Sequence, residues 1–266
     1  MDISLPAALT IAGSDSGAAA GIQADLLTFS ACGVYGTTVI TALTAQNPRG
    51  ISALQPLEPG FVRAQIDQVL AYYPVRALKT GMLATAGIVE TVADFLASRP
   101  DIPAVIDPVM VATSGALLLN PVAVEAVIQR LLPRATVITP NFDEAAVLLG
   151  HRFAATPAAV ESAAFALAQT FGVPVLLKGG HVPGDPIVDV LAGPEEILLR
   201  LRAPRIHDVD THGGGCTLAA AIAAHLARGR GLVEAVERAH AALRRAYAQP
   251  LILNGQKFLN HAALAE

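Results

Sequence analysis

Toward the carboxyl end the chain reads Thr211-His212-Gly213-Gly214-Gly215-Cys216 and then enters an apolar stretch from Thr217 to Ala227. Three glycines feeding a helix, with a cysteine on its first turn, carry chemical content. Glycine lets backbone approach a ligand without an intervening Cβ. The first turn of a helix leaves N–H groups unpaired at the positive end of the helix dipole. Together they make an anion site, most suited to phosphate. A helix N-terminus also stabilises a thiolate and brings a thiol from ~8.5 into the range ~3.5–7.5. Cys216 is then placed to accept the proton of an alcohol during phosphoryl transfer. The same residues also satisfy a plainer reading, a flexible loop and a small buried hydrophobe.

Other polar residues stand where strands should end. Asn141-Phe142-Asp143-Glu144 puts an amide after a strand and a carboxylate on the next helical turn. A carboxylate there complements the helix dipole. It also suits Mg²⁺, which takes oxygen ligands and keeps several waters. Asp107, before Pro108, is a second acid at a neighbouring strand end. Lys178 ends an apolar strand before Gly179-Gly180, from where an ammonium reaches a phosphate as a point charge. Lys79 raises the same question. Gln46 and Asn47 close another strand, and Asp25 lies on the first helix, where a solvated charge is the ordinary reading. An amide offers donor and acceptor side by side, which fits the edge of a heteroaromatic ring. Asn47 before Pro48 is also a plain turn former. His181, His207 and His212 lack metal-ligand spacing, so no zinc site is expected.

Holding these groups requires a regular frame. The sequence predicts strands at Ala7–Ala12, Thr37–Ala42, Arg76–Lys79, Ala104–Asp107, Thr136–Thr139, Val173–Lys178 and Ile187–Leu191, and a late strand pair over Glu195–Ile206. It predicts helices at Ala20–Ala31, Glu58–Tyr72, Thr85–Arg99, Pro121–Leu132, Asp143–Leu149, Pro157–Phe171, Gly215–Ala227 and Leu232–Ala248. Near-continuous apolar strands alternating with helices imply an α/β fold with a mostly parallel sheet and right-handed crossovers. With no linker or internal repeat in the sequence, residues 1–266 are expected to form a single domain. In such sheets ligands collect beyond the carboxyl ends of the strands, where these polar residues recur.

Composition narrows the function class. The chain has 266 residues, 53% of them hydrophobic and 15% charged, with a net charge of −4. That excludes disorder, and the absence of a dense Lys/Arg run argues against nucleic acid and membrane surfaces as partners. Its apolar runs are broken well before the ~18 residues a membrane span needs. The start, Met1-Asp2-Ile3-Ser4, has no basic region and no long apolar region, so no signal peptide is expected. Two cysteines, Cys32 and Cys216, make no disulfide framework, and reduced thiols in the cytoplasm are expected.

Taken in order, several segments resemble the ribokinase superfamily, and most closely its hydroxymethylpyrimidine/phosphomethylpyrimidine kinases of thiamine biosynthesis. They are Thr10–Ser16 (TIAGSDS), Ala20–Leu26 (AGIQADL), Val39–Gln46 (VITALTAQ), Gly81-Met82-Leu83, Asp107–Val111 (DPVMV), Thr139–Asn141 with Glu144, Leu176–His181 (LLKGGH), Thr211–Leu218 and the tail Leu259-Asn260-His261. The resemblance implies a ribokinase-like three-layer α/β/α fold, ATP and Mg²⁺, a homodimer, and two successive phosphorylations of 4-amino-5-hydroxymethyl-2-methylpyrimidine. Pyridoxal kinases are the nearest alternative, and a non-catalytic pyrimidine-binding protein is the alternative outside the enzymes. By the same resemblance, Gln46 binds the ring edge, and Gly13, Ala20, Asp25, Met82 and Val109 line the pocket. Gly213, Gly214 and Gly215 form an anion hole beside Cys216. Asn141 and Glu144 organise Mg²⁺. Lys178, Asp107 and Thr211 join the nucleotide region. Cys216 marks this branch, since most of the superfamily carries aspartate there. The chain departs from the family pattern at three places: Ala18-Ala19 replaces a glycine pair, Thr113 a lysine, and Gly214 a threonine.

Overall fold

The computed structural model describes residues 4–110 and 119–265, so Thr113 lies outside the described residues. Its centre is a nine-stranded sheet in the order β3-β2-β1-β4-β5-β6-β7-β8-β9. The strands are β1 Ala7–Asp15, β2 Tyr35–Asn47, β3 Gly50–Pro56, β4 Val75–Thr80, β5 Ala104–Ile106, β6 Val137–Ile138, β7 Val175–Leu177, β8 Ile187–Ala192 and β9 Ile197–Ala203. From β2 across to β7 neighbours run parallel. β3, β8 and β9 are antiparallel additions at the edges.

Alternation along each strand assigns residues to two cores. Leu9, Leu78, Ile106, Ile138 and Leu177 face one cluster. Ala8, Ala77, Val105, Val137 and Leu176 face the other. The first is covered by α2 Pro59–Tyr72, α3 Ala86–Ser98, α4 Pro121–Ala126, α5 Phe142–Leu149 and α6 Pro157–Phe171. The second is covered by α1 Gly21–Ala31, α7 Gly214–Ala227 and α8 Leu232–Ala248. α7 is apolar almost all round and buried from Thr217 through His225, as a helix packed between a sheet and two other helices must be. α8 is amphipathic, burying Ala235, Val236, Ala239, Ala242, Leu243 and Ala246. A small hairpin, β10 Leu251–Leu253 and β11 Gln256–Phe258, lies apart from the sheet.

Three expectations need correction. The strand pair expected within Glu195–Ile206 is one strand, β9, whose partner is the preceding β8. β3 went unforeseen because its residues are mostly exposed and show no apolar alternation. It is set by the turn after β2, where Asn47 Oδ1 accepts the Arg49 N–H at 2.8 Å, a local Asx turn. The helix expected over Pro121–Leu132 ends at Ala126 and continues as a π-helical turn, Val127–Leu131, and a 3₁₀ turn, Leu132–Arg134. Pro133 cannot donate the helical hydrogen bond, and its ring crowds the preceding turn.

Candidate active site

The chain departs β1 to one side for β2 and returns to the other side for β4. Such a switch point opens a crevice at the strand ends. A cleft of about 370 Å³ lies there. It is lined by Gly13, Ala20, Gln46, Met82 and Val109, and by Asp107, Asn141, Glu144, Lys178, Thr211 and Gly213 to Cys216. Asp25 alone among the expected site residues does not line it. Its side chain is fully buried under the cleft, accepting from Thr10 Oγ1 at 2.6 Å and from Lys79 Nζ at 2.9 Å. That position on α1 shares a face with Ile22 and Phe29, which are buried too, so the carboxylate points into the protein rather than at a ligand.

The anion turn has the form its glycines require. Gly213 is the α7 N-cap at φ +80°, and a Cβ there would meet Ala19 O at 1.8 Å. The Gly214 N–H closes on Thr211 O at 3.0 Å and the Thr217 N–H on Gly213 O at 2.9 Å. Between them Gly215 and Cys216 carry the first-turn N–H groups that have no intrahelical acceptor. A Cβ on Gly215 would stand 3.1 Å from Lys178 Nζ, so the ammonium sits against the same turn.

Charges are packed beneath it. Lys178 Nζ donates to Asp107 Oδ1 at 3.0 Å, which also accepts from Thr139 Oγ1 at 3.0 Å. A bridge between Asn141 and Lys178 brings the α5 N-terminus alongside. There Asn141 Oδ1 accepts the Glu144 N–H at 2.9 Å and Glu144 Oε2 accepts the Asn141 N–H at 2.8 Å. This reciprocal cap fixes both residues at the cleft edge. Burial, with the charge of Asp107, pushes the Glu144 carboxyl up to about 7 against the pull of Lys178.

Cys216 differs from expectation. Burial pushes its thiol above the ordinary range, and Asp25 and Asp107 add to this. Lys79 and the Gly21 N–H at the start of α1 pull the other way without prevailing. A helix N-terminus alone does not decide a thiol that is also desolvated above two carboxylates.

His212 links the turn to Gln46, a contact that metal-ligand spacing does not signal. Its Nε2 lies 3.0 Å from Gln46 Nε2 and 3.8 Å from Asp15 Oδ2. The Asp15 carboxylate holds the imidazole above its ordinary range. Asp15 in turn accepts the N–H groups of Gly17 at 2.7 Å and Ala20 at 2.9 Å. Ser16 Oγ donates to Gln46 O at 2.9 Å and accepts the Gln46 N–H at 2.8 Å. The ends of β1 and β2 are thus tied, and His212 lies against the Gln46 amide from the α7 side.

The profile of the phosphomethylpyrimidine kinase family matches residues 15–260. The chain belongs to the phosphomethylpyrimidine kinase family. A hydroxymethylpyrimidine/phosphomethylpyrimidine kinase of Rhizobium meliloti strain 1021 is 50% identical over 89% of this chain and 88% of its own. Among solved structures, a Bacillus subtilis pyridoxal kinase in an ADP complex superposes with a TM-score of 0.90 at 37% identity, covering 98% of this chain and 99% of that one. A phosphomethylpyrimidine kinase of Clostridium difficile 630 gives a TM-score of 0.79 at 38% identity, covering 91% and 99%.

Within this family the Ala18-Ala19 pair has a visible cost. Ala18 sits at φ +60°, left-handed backbone that disfavours any Cβ. Its N–H closes a turn onto Asp15 O at 3.0 Å, so the conformation is locked by the loop that supports Asp15. Ala18→Gly should raise stability by roughly 1 kcal/mol, or about 2–4 °C in Tm. Calorimetric melting reads this directly, and an unchanged or lower Tm would show that the loop bears no such strain.

Proposed function

We propose that this chain is an ATP-dependent kinase that phosphorylates 4-amino-5-hydroxymethyl-2-methylpyrimidine on its hydroxymethyl group, and then the monophosphate to the diphosphate, in thiamine biosynthesis. The observation that carries the reading is one cleft lined both by the Gln46 amide with apolar residues and by the phosphate-suited turn at Gly213–Cys216. The 50% identity to a kinase of that name selects the pyrimidine.

The residues divide the work. The Gln46 amide pairs with the ring edge while Gly13, Ala20, Met82 and Val109 enclose its faces. The open N–H groups of the turn, those of Gly215 and Cys216, with Lys178, take the charge that develops on the moving phosphoryl, the main demand of such a transfer. The hydroxymethyl oxygen bonds to the γ-phosphorus, the bond to ADP breaks, and the hydroxyl proton passes to the thiolate form of Cys216. Mg²⁺ supplies neutralisation of the nucleotide phosphates. Among the described residues no three acidic, histidine or cysteine side chains form a metal cage. Glu144 and Asp107 fit the sparser habit of Mg²⁺, one or two carboxylates completed by water and phosphate. Asn141 serves there by fixing Glu144, and Thr211 by closing the anion turn. The reading carries with it a cytoplasmic setting and a homodimer, the latter tested by light scattering.

ADP release should be measured with ATP and each of three acceptors: the hydroxymethylpyrimidine, its monophosphate and pyridoxal. ADP with both pyrimidines is expected. Turnover with pyridoxal alone would make this a pyridoxal kinase, and tight pyrimidine binding without ADP would make it a binding protein.

A further inference from the structure

α8 presents His240, Leu243, Arg244 and Tyr247 to the cleft. Their spacing, i, i+3, i+4 and i+7, is one stripe of a helix. Tyr247 is the member that reaches the anion turn. A Cβ built on Gly214 would lie 1.8 Å from its Oη and 3.0 Å from its Cζ. Tyr247 and any side chain at position 214 therefore compete for one space, and in this chain the tyrosine holds it. Its hydroxyl is only loosely engaged, 3.4 Å from Thr211 O. The turn it touches is the one whose open N–H groups and neighbouring Lys178 are suited to phosphate.

We propose that Tyr247 is a nucleotide-contacting residue, its O–H donating to a phosphate oxygen of ATP bound at the Gly213–Gly215 turn. It thereby supplies from α8 the hydroxyl that Gly214 cannot supply from the turn. The inference rests on the kinase reading above. Burial pushes the Tyr247 hydroxyl far above its ordinary range, so it remains a donor at any working pH. The phenol ring also roofs the turn, which a threonine at position 214 would do less fully.

Two variants and one cycle test this. Tyr247→Phe keeps the ring and removes the donor. It should raise the KM for ATP about tenfold, equivalent to about 1.4 kcal/mol, and leave the KM for the pyrimidine unchanged. Titration calorimetry with MgATP should show the same tenfold loss. Gly214→Thr alone should weaken ATP more severely, because its Cβ collides with Oη. Combining it with Tyr247→Leu should recover ATP affinity to within about threefold of the parent, better than Tyr247→Leu by itself. Parent-like ATP affinity in Tyr247→Phe, or no recovery in the double variant, overturns the inference. Failure of the kinase reading is a different result: no ADP from the parent protein with any acceptor. The calorimetric comparison still decides Tyr247 in that case.

Discussion

Replacing Cys216 with alanine is expected to lower turnover of the hydroxymethyl substrate by roughly 10²–10⁴-fold, the range a general base contributes. ATP affinity should change little, because the backbone N–H groups of the turn remain. The pH profile is the sharper measurement. Burial and two carboxylates hold the thiol above its ordinary range, so most of the protein carries a protonated sulfur near neutrality. The active form is the thiolate, and kcat/KM for the first phosphorylation should therefore climb toward alkaline pH. The alanine variant should lose that climb. In the second phosphorylation the acceptor is a phosphate already ionised near pH 7, so its loss should be smaller. Near-normal first-step turnover in Cys216→Ala, or equal losses in both steps, would remove the sulfur from proton transfer.

The second large effect concerns stability. Lys79 and Asp25 are each fully buried and lie 2.9 Å apart. Burial works against the Lys79 charge, but Asp25 beside it, aided by Cys216 and Asp107, holds the ammonium above its ordinary range. Removing one member strands the other in a dry interior, which typically costs about 3–5 kcal/mol. Lys79→Met should therefore lower Tm by roughly 10 °C. Pairing it with Asp25→Leu should cost much less than the two single changes added together, since no charge is then left unpartnered. Additive losses, or a Lys79→Met variant as stable as the parent, would show that the pair is not coupled. The same pair lies under the reaction centre, so the double variant should also move the Cys216 alkylation profile along the pH axis.

How far the sequence could be read follows from what each signal depends on. The parallel strands were legible because burial on both faces leaves apolar runs such as Ala7–Ala12 and Thr37–Ala42. Their polar ends were legible for the same reason, as interruptions of those runs. β3 was not, because an exposed edge strand needs no apolar pattern. Asp25 carries a clue to its burial. It falls on the apolar stripe of α1 with Ile22 and Phe29, while Lys79 stands in a buried strand. Two opposite charges at buried positions must meet. His212 has no local signal for its role, since its reach to Gln46 depends on the Thr211–Gly213 turn folding against the end of β2. The contact between Gly214 and Tyr247 had no local signal, since only the packing of α8 across α7 brings them together.

Parts of the cleft come from opposite ends of the polypeptide: the stretch from Gly13 to Gln46 meets the stretch from Thr211 to Tyr247 where Ala19 approaches Gly213 and Gln46 approaches His212, and residues between Met82 and Lys178 complete the lining. All nine strands of the central sheet are already encoded by Ala203. During synthesis, which delivers the N-terminal elements first, the sheet is therefore complete in sequence before any part of the anion turn leaves the ribosome. Neither substrate finds a finished site until the last helices dock. Ligand binding can therefore stabilise only chains in which α7 and α8 have docked.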